Sequence, residues 1–161
     1  MDDQPNFENL LGLLVKHQVA IAVVGAVAMN LRMADNVTLD LDICYERSQE
    51  NCERLCRALA PHCSLIRSAF MDMVNLLMAN ARSEVLQTDF GKLDLLGEVA
   101  GLGDYAAVRQ FATPVPLGDL QVEALTLDGL IKAKEAANRP KDQQHLITLR
   151  ALKEMEERGD A

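Results

Sequence analysis

The stretch Thr38-Leu39-Asp40-Leu41-Asp42-Ile43-Cys44 alternates with period two, and this alternation constrains the chain more than any other segment. In an extended strand it sets Leu39, Leu41 and Ile43 on one face and Asp40 with Asp42 on the other. Two carboxylates side by side on an apolar strand repel each other and lose hydration when covered. Three arrangements relieve that cost. The acidic face can be exposed on an edge strand, each acid can pair with Arg or Lys, or a hard divalent cation can sit between them, since Mg²⁺ takes oxygen ligands from a few carboxylates plus phosphates. Asp94, on another apolar strand, supplies a third ligand for the last arrangement.

The segment before this strand adds a second element. Val19-Ala20-Ile21-Ala22-Val23-Val24 reads as a strand buried on both faces, Gly25 closes it, and Ala26 to Met33 reads as a helix leaving directly from the strand end. Free backbone N–H groups at such a helix start favour anions, phosphates among them. A lone strand-glycine-helix junction is also an ordinary tight turn, so it carries weight only beside the carboxylates.

Around these two elements the periodicity predicts an amphipathic helix from Phe7 to near His17 and, capped by Ser48, a helix over 49–60. A Met-rich apolar segment over 66–80 reads as helical or irregular, with its face from Phe70 to Met78 expected in the core. Glu84 to Phe90 and Lys92 to Leu96 read as strands around Gly91, and 97–103 as a glycine-rich loop. Asp104 is expected to cap a helix through Phe111, and Pro114, Pro116 and Gly118 punctuate a short strand pair ending near Leu125. Helices are expected over about 126–158, broken at Asn138-Arg139-Pro140-Lys141, with Thr126 or Asp128 opening the first and Asp142 capping the second. No interdomain linker or repeat interrupts the 161 residues, so a single domain over 1–161 is expected.

A net charge of −8 opposes broad attraction to phosphate backbones or anionic membranes, so a polyanionic substrate needs metal ions or a local basic patch. The acidic amino terminus, the lack of a spanning apolar run and four cysteines expected as reduced thiols point to a cytoplasmic protein without membrane contact. Cys52, Cys56, His62 and Cys63 lie close in sequence but lack the tight CxxC knuckles of zinc sites, and buried helix-face cysteines are the expectation. His17, His62 and His145 form no evident catalytic constellation.

The order Val23-Val24-Gly25-Ala26, then Thr38-Leu39-Asp40-Leu41-Asp42-Ile43, then Gly91-Lys92-Leu93-Asp94-Leu95-Leu96 resembles the nucleotidyltransferase superfamily, the polymerase β-like fold. The run Leu130 to Lys134 followed by Arg139-Pro140-Lys141-Asp142 is similar to the carboxy-terminal helices of small bacterial members, including those in toxin–antitoxin pairs. The resemblance covers Phe7 to about Leu152. It implies an α/β (α+β) fold, a nucleotidyltransferase-like mixed sheet flanked by helices with a helical C-terminal part. The implied activity is Mg²⁺- or Mn²⁺-dependent transfer of a nucleoside monophosphate from a nucleoside triphosphate to a hydroxyl of an RNA, protein or small-molecule acceptor. By resemblance, Asp40, Asp42 and Asp94 hold metal and carry catalysis. Gly25, Ala26 and Thr38 bind the nucleotide, Gly25 and Ala26 facing its phosphates, and Lys134, Arg139 and Lys141 neutralise charge. Two departures favour the alternative of a catalytically weak or inactive module that binds a protein partner. Ala26 stands where the family has Gly or Ser, and Asp35-Asn36-Val37 stands where members often carry an arginine.

Overall fold

The computed structural model describes residues 5–32, 38–79 and 82–159. The loop Ala34 to Val37, with the Asn36 departure, lies outside the described residues.

Asn6 opens α1 (Phe7–Lys16) by accepting the Asn9 N–H at 3.1 Å, and the helix buries Leu10, Leu11 and Leu14. All four residues of β1 (Ile21–Val24) are buried, and α2 (Gly25–Arg32) leaves its end without an intervening loop. Then come β2 (Asp40–Tyr45) and α3 (Gln49–Leu59), the latter capped by Ser48 accepting the Asn51 N–H. Because β2 starts at Asp40, Leu39 lies outside the strand and is 67% exposed rather than in the apolar row.

The Met-rich stretch forms two helices, α4 (Ser64–Ser68) and α5 (Phe70–Ala79), instead of one. They part at Ala69, and Ser68 Oγ donates to the Ser64 carbonyl at 2.9 Å, a local bond that competes with continuing the helix. Met73, Val74 and Leu77 are buried, as expected of a core face, whereas Met71 and Leu76 are exposed.

A tight turn at Asp89-Phe90 joins β3 (Ser83–Thr88) to β4 (Gly91–Leu96). The segment expected as a glycine-rich loop folds back as a small hairpin of β5 (Glu98–Val99) and β6 (Gly103–Asp104), since Gly101 and Gly103 supply the positive φ its turn needs. Asp104 caps α6 (Tyr105–Arg109), and β7 (Ala112–Leu117) pairs with β8 (Leu120–Leu125). Thr126 caps α7 (Leu127–Ala137), and α8 (Pro140–Glu157) follows after Asn138 in the left-handed conformation. Asp142 sits in the first turn of α8 rather than at its cap. Pro140 lacks an N–H and fits the first helical position, so the cap falls on Arg139 and the helix starts three residues earlier than expected.

The main sheet runs β3-β4-β2-β1-β8-β7. β2 pairs parallel with β4 and antiparallel with β1, β1 is parallel to β8, and both outer strands are antiparallel to their neighbours. Among the described residues this is a mixed sheet flanked by eight α-helices, as the α/β (α+β) expectation had it. Leu41, Ile43, Leu93 and Leu95 are fully buried on one face, where Tyr45 donates its hydroxyl to the Leu77 carbonyl of α5 at 2.7 Å. Asp40, Asp42 and Asp94 occupy the opposite face. Among the described residues no helix is long and apolar enough to cross a membrane.

One buried side chain ties the two central strands to α3. Asn51 accepts the Ala20 N–H at 2.6 Å and donates to the carbonyls of Ala20 (3.1 Å) and Glu46 (2.8 Å). Asn51→Leu strands the Ala20 N–H and the Glu46 carbonyl, while the Ala20 carbonyl keeps the Glu46 N–H at 3.2 Å, and the expected result is a loss of about 2–4 kcal/mol in denaturant unfolding with an unchanged m-value.

Candidate functional site

The pairing of β1, β2 and β4 sets Val24, Asp42 and Asp94 in one row across three strands. The row forms the floor of a cavity of about 300 Å³, and Gly25 stands at its rim. Val99 and Ala100 of the hairpin bound the cavity on one side. Leu130, Ala133, Lys134 and Ala137 of α7, with Arg139, bound it on the other. Two glycines fix its dimensions. Gly25 has φ +65°, and a Cβ there would run into Asp42 Oδ2 and lie 3.2 Å from Asp42 Cβ and Cγ. Gly101 has φ +80°, and its Cβ would meet Ala136 Cβ at 2.6 Å and the Lys132 carbonyl at 2.9 Å, so the hairpin turn lies directly on α7.

Electrostatically the floor is under strain. Burial, then the neighbouring Asp94 and Asp40, push the Asp42 carboxyl up to about 6, against the opposing pull of Lys141 and Arg139. Asp94 is also raised, by burial first and by Asp40, while Lys92 acts against the shift. Asp94 Oδ1 is buried with no hydrogen-bond partner among the described residues. A bare carboxylate oxygen beside a second carboxylate is a donor set that suits a hard divalent cation. Asp40 lies one row further out, paired in register with Lys92, whose Nζ is 3.7 Å from Asp40 Oδ1. Consequently no three acids, histidines or cysteines among the described residues form a ready cage, and the fit to a cation rests on Asp42 and Asp94.

The cations of the cavity wall are already engaged. Asp142 is completely buried. Its Oδ1 receives Lys134 Nζ at 3.3 Å and Arg139 Nη2 at 3.3 Å, and its Oδ2 receives Arg139 Nε at 2.8 Å and the Arg139 backbone N–H at 3.1 Å. Burial alone would raise Asp142, but the bonds from Arg139 and the charge of Lys134 outweigh it and hold the carboxyl at about 2. Burial lowers Lys134, with Asp142 opposing. His145, in the next turn of α8, keeps a buried Nδ1 without a partner among the described residues.

The structure therefore gathers Gly25, Asp42, Asp94, Lys134 and Arg139 around one cavity. Lys141 is exposed beside it, close enough to act on Asp42. Ala26 is the second residue of α2, and Thr38 Oγ1 donates to the Asp40 carbonyl at 2.9 Å, shaping the start of β2. The hairpin wall escaped sequence reasoning because its apolar residues lack periodicity, although Gly101 and Gly103 marked the turn. Asp142 was visible only as a helix-start residue. The four cysteines are free and buried, and burial raises Cys44 and Cys56 to about 12, in keeping with core packing.

The sequence matches no protein-family model and no curated protein. The structure is similar to the crystal structure of a Thermotoga maritima protein described as a "putative nucleotidyltransferase", with a TM-score of 0.58 and 13% identity over 88% of each chain. The likeness is one of fold. The chain has a nucleotidyltransferase-like architecture, and at this identity the comparison carries no residue roles.

The strained floor yields two expectations. The folded state favours protonated Asp42, so its ionised form costs stability above pH 6, and that cost disappears as pH falls through 6 toward the ordinary 3.8. In metal-free protein at pH 7.5, Asp42→Asn is expected to raise stability by roughly 1–2 kcal/mol after discounting for the open mouth of the cavity, with the gain gone near pH 4 in paired thermal melts. Gly25→Ala is expected to cost about 2–4 kcal/mol, because a left-handed backbone and a blocked Cβ act together. In the Asp42→Gly background the cost should shrink to the backbone part, about 1–2 kcal/mol.

Proposed function

We propose that this chain is a metal-dependent nucleotidyltransferase that moves a nucleoside monophosphate from a nucleoside triphosphate to a hydroxyl. The observation that carries the proposal is the registered pair Asp42 and Asp94, with the unpartnered Asp94 Oδ1, on the floor of a cavity that opens beside the helix start at Gly25. Asp42 and Asp94 would hold Mg²⁺ or Mn²⁺, with Asp40 joining them once it leaves Lys92. The bound cation supplies charge stabilisation for the attacking and leaving oxygens of an in-line displacement.

The chain's own groups do the rest. The N–H groups at the start of α2, Gly25 and Ala26 first among them, face the β- and γ-phosphates and favour their charge. The apolar walls exclude water from the reacting phosphate. Asp94 would hold the cation through Oδ1 and take the proton of the acceptor hydroxyl at its other carboxylate oxygen, and a raised carboxyl suits that role better than an ordinary one. Arg139 and Lys141, at the mouth, offset the charge of the leaving pyrophosphate. The four reduced, buried thiols agree with a cytoplasmic working place.

A second proposal, a catalytically weak module that binds a protein partner, draws on two observations. Ala26 brings no hydroxyl to the helix start, and both cations of the wall are already bonded to Asp142. The C-terminal resemblance to toxin–antitoxin members is in line with such a partner.

Thermal melts separate the two. Under the first proposal Mn²⁺ with a nucleoside triphosphate raises the midpoint of the wild type. At a hundredfold excess over Kd the gain is about 2.7 kcal/mol, and Asp40→Asn/Asp42→Asn removes it. Labelled triphosphate then marks an RNA, protein or small-molecule acceptor. A wild type that gains nothing from metal plus nucleotide and labels no acceptor leaves the partner-binding proposal standing.

A further inference from the structure

We propose that Asp142 is a positioning residue for the terminal phosphates of the bound nucleotide, acting through Arg139 and Lys134 without touching the ligand. This rests on the nucleotidyltransferase proposal and extends it to a side chain behind the cavity wall.

Asp142 is fully buried and does not line the cavity, whereas both of its cationic partners do. The cluster carries one negative and two positive charges, so it leaves an excess cation at the wall facing the acidic floor. A group that served stability alone needs neither the second cation nor its place at a cavity. A buried ion pair is weak support for a fold, and apolar side chains of similar size commonly do as well. The geometry of Arg139 is the more specific sign. Its Nε and Nη2 both bond to Asp142, which fixes the plane of the guanidinium. The side chain nevertheless stays 54% exposed, and among the described residues Nη1 and the outer Nη2 proton have no acceptor, so they can donate to a ligand. Lys134 differs. It is 9% exposed and bonded to the same carboxylate, so it contributes fixed charge from within while Arg139 presents the donors.

The Arg139 backbone N–H bonds to Asp142 as well, so one carboxylate sets the start of α8, the break after α7 and the guanidinium plane together. A planar fork aligned in advance meets a phosphate with less loss of side-chain freedom than a free arginine.

The test uses the full chain and three probes measured by calorimetry: Mn²⁺ alone, inorganic tripolyphosphate with Mn²⁺, and ATP with Mn²⁺. Asp142→Asn is expected to weaken tripolyphosphate and ATP at least tenfold while Mn²⁺ alone stays within twofold. Arg139→Gln should weaken them similarly, and the double variant Arg139→Gln/Asp142→Asn should be little worse than either single, because both changes remove one arrangement. Asp142→Glu should recover part of the loss. If Asp142→Asn does not fold, Arg139→Lys decides. It keeps the charge and loses the fork, so a loss of at least fivefold supports positioning, and an unchanged affinity overturns it. Folded Asp142→Asn with wild-type tripolyphosphate affinity, or single losses that multiply in the double variant, also overturns the proposal while leaving the nucleotidyltransferase reading in place. A wild type that binds neither Mn²⁺ nor ATP overturns both.

Discussion

Asp42 and Asp94 repel each other across one strand spacing, and most of what surrounds them is arranged around that repulsion. Two unit charges about 5 Å apart cost about 3 kcal/mol in a medium of effective dielectric near 20. On the other face of the same strands Leu41, Ile43, Leu93 and Leu95 are fully buried, each worth about 1.5–3 kcal/mol. The apolar term wins, so the register that buries four side chains forces the acids together. A slip of one residue would bury the acids and expose the leucines, and there is no cheaper register to escape to. Gly25 closes the remaining route, because its missing Cβ is the space that Asp42 occupies.

Charge compensation comes from elsewhere in the chain and is incomplete. Lys92 serves Asp40, Lys134 and Arg139 bond to Asp142, and Asp42 feels Lys141 and Arg139 only through space. The floor therefore keeps a net demand for positive charge that the protein does not meet. The fold shared with the Thermotoga maritima structure at 13% identity supplies the scaffold, and the demand itself is a property of these side chains.

How much was legible beforehand follows from where the signal is local. Period-two alternation placed the acids on one face, and the caps at Ser48, Asp104 and Thr126 stand where short polar side chains preceded apolar runs. What stayed hidden depended on contacts distant in sequence. Nothing near Asp40 said that Lys92 would take it, and nothing near Asp142 said that Lys134 would reach it from another helix. The hairpin over 98–104 was hidden for the same reason, since its few residues hold their place by resting on α7. The break at Ala69 came from a serine bonding to its own helix, a choice between two local structures that apolar spacing alone does not decide.

The position of β8 has an implication for synthesis. It pairs with β1 in the middle of the sheet, yet it is the last strand in the chain, so the two halves of the sheet are joined only once Leu125 has been made. Until then the inner side of β1 lacks a neighbour, and the acidic row has the hairpin beside it but not yet α7, which follows Leu125 in the chain. The nascent chain thus presents an open central strand at a stage when a finished protein would present only edges. Such a strand invites pairing with other chains, so slow or interrupted translation after β4 is the point at which this protein is most exposed to misassembly.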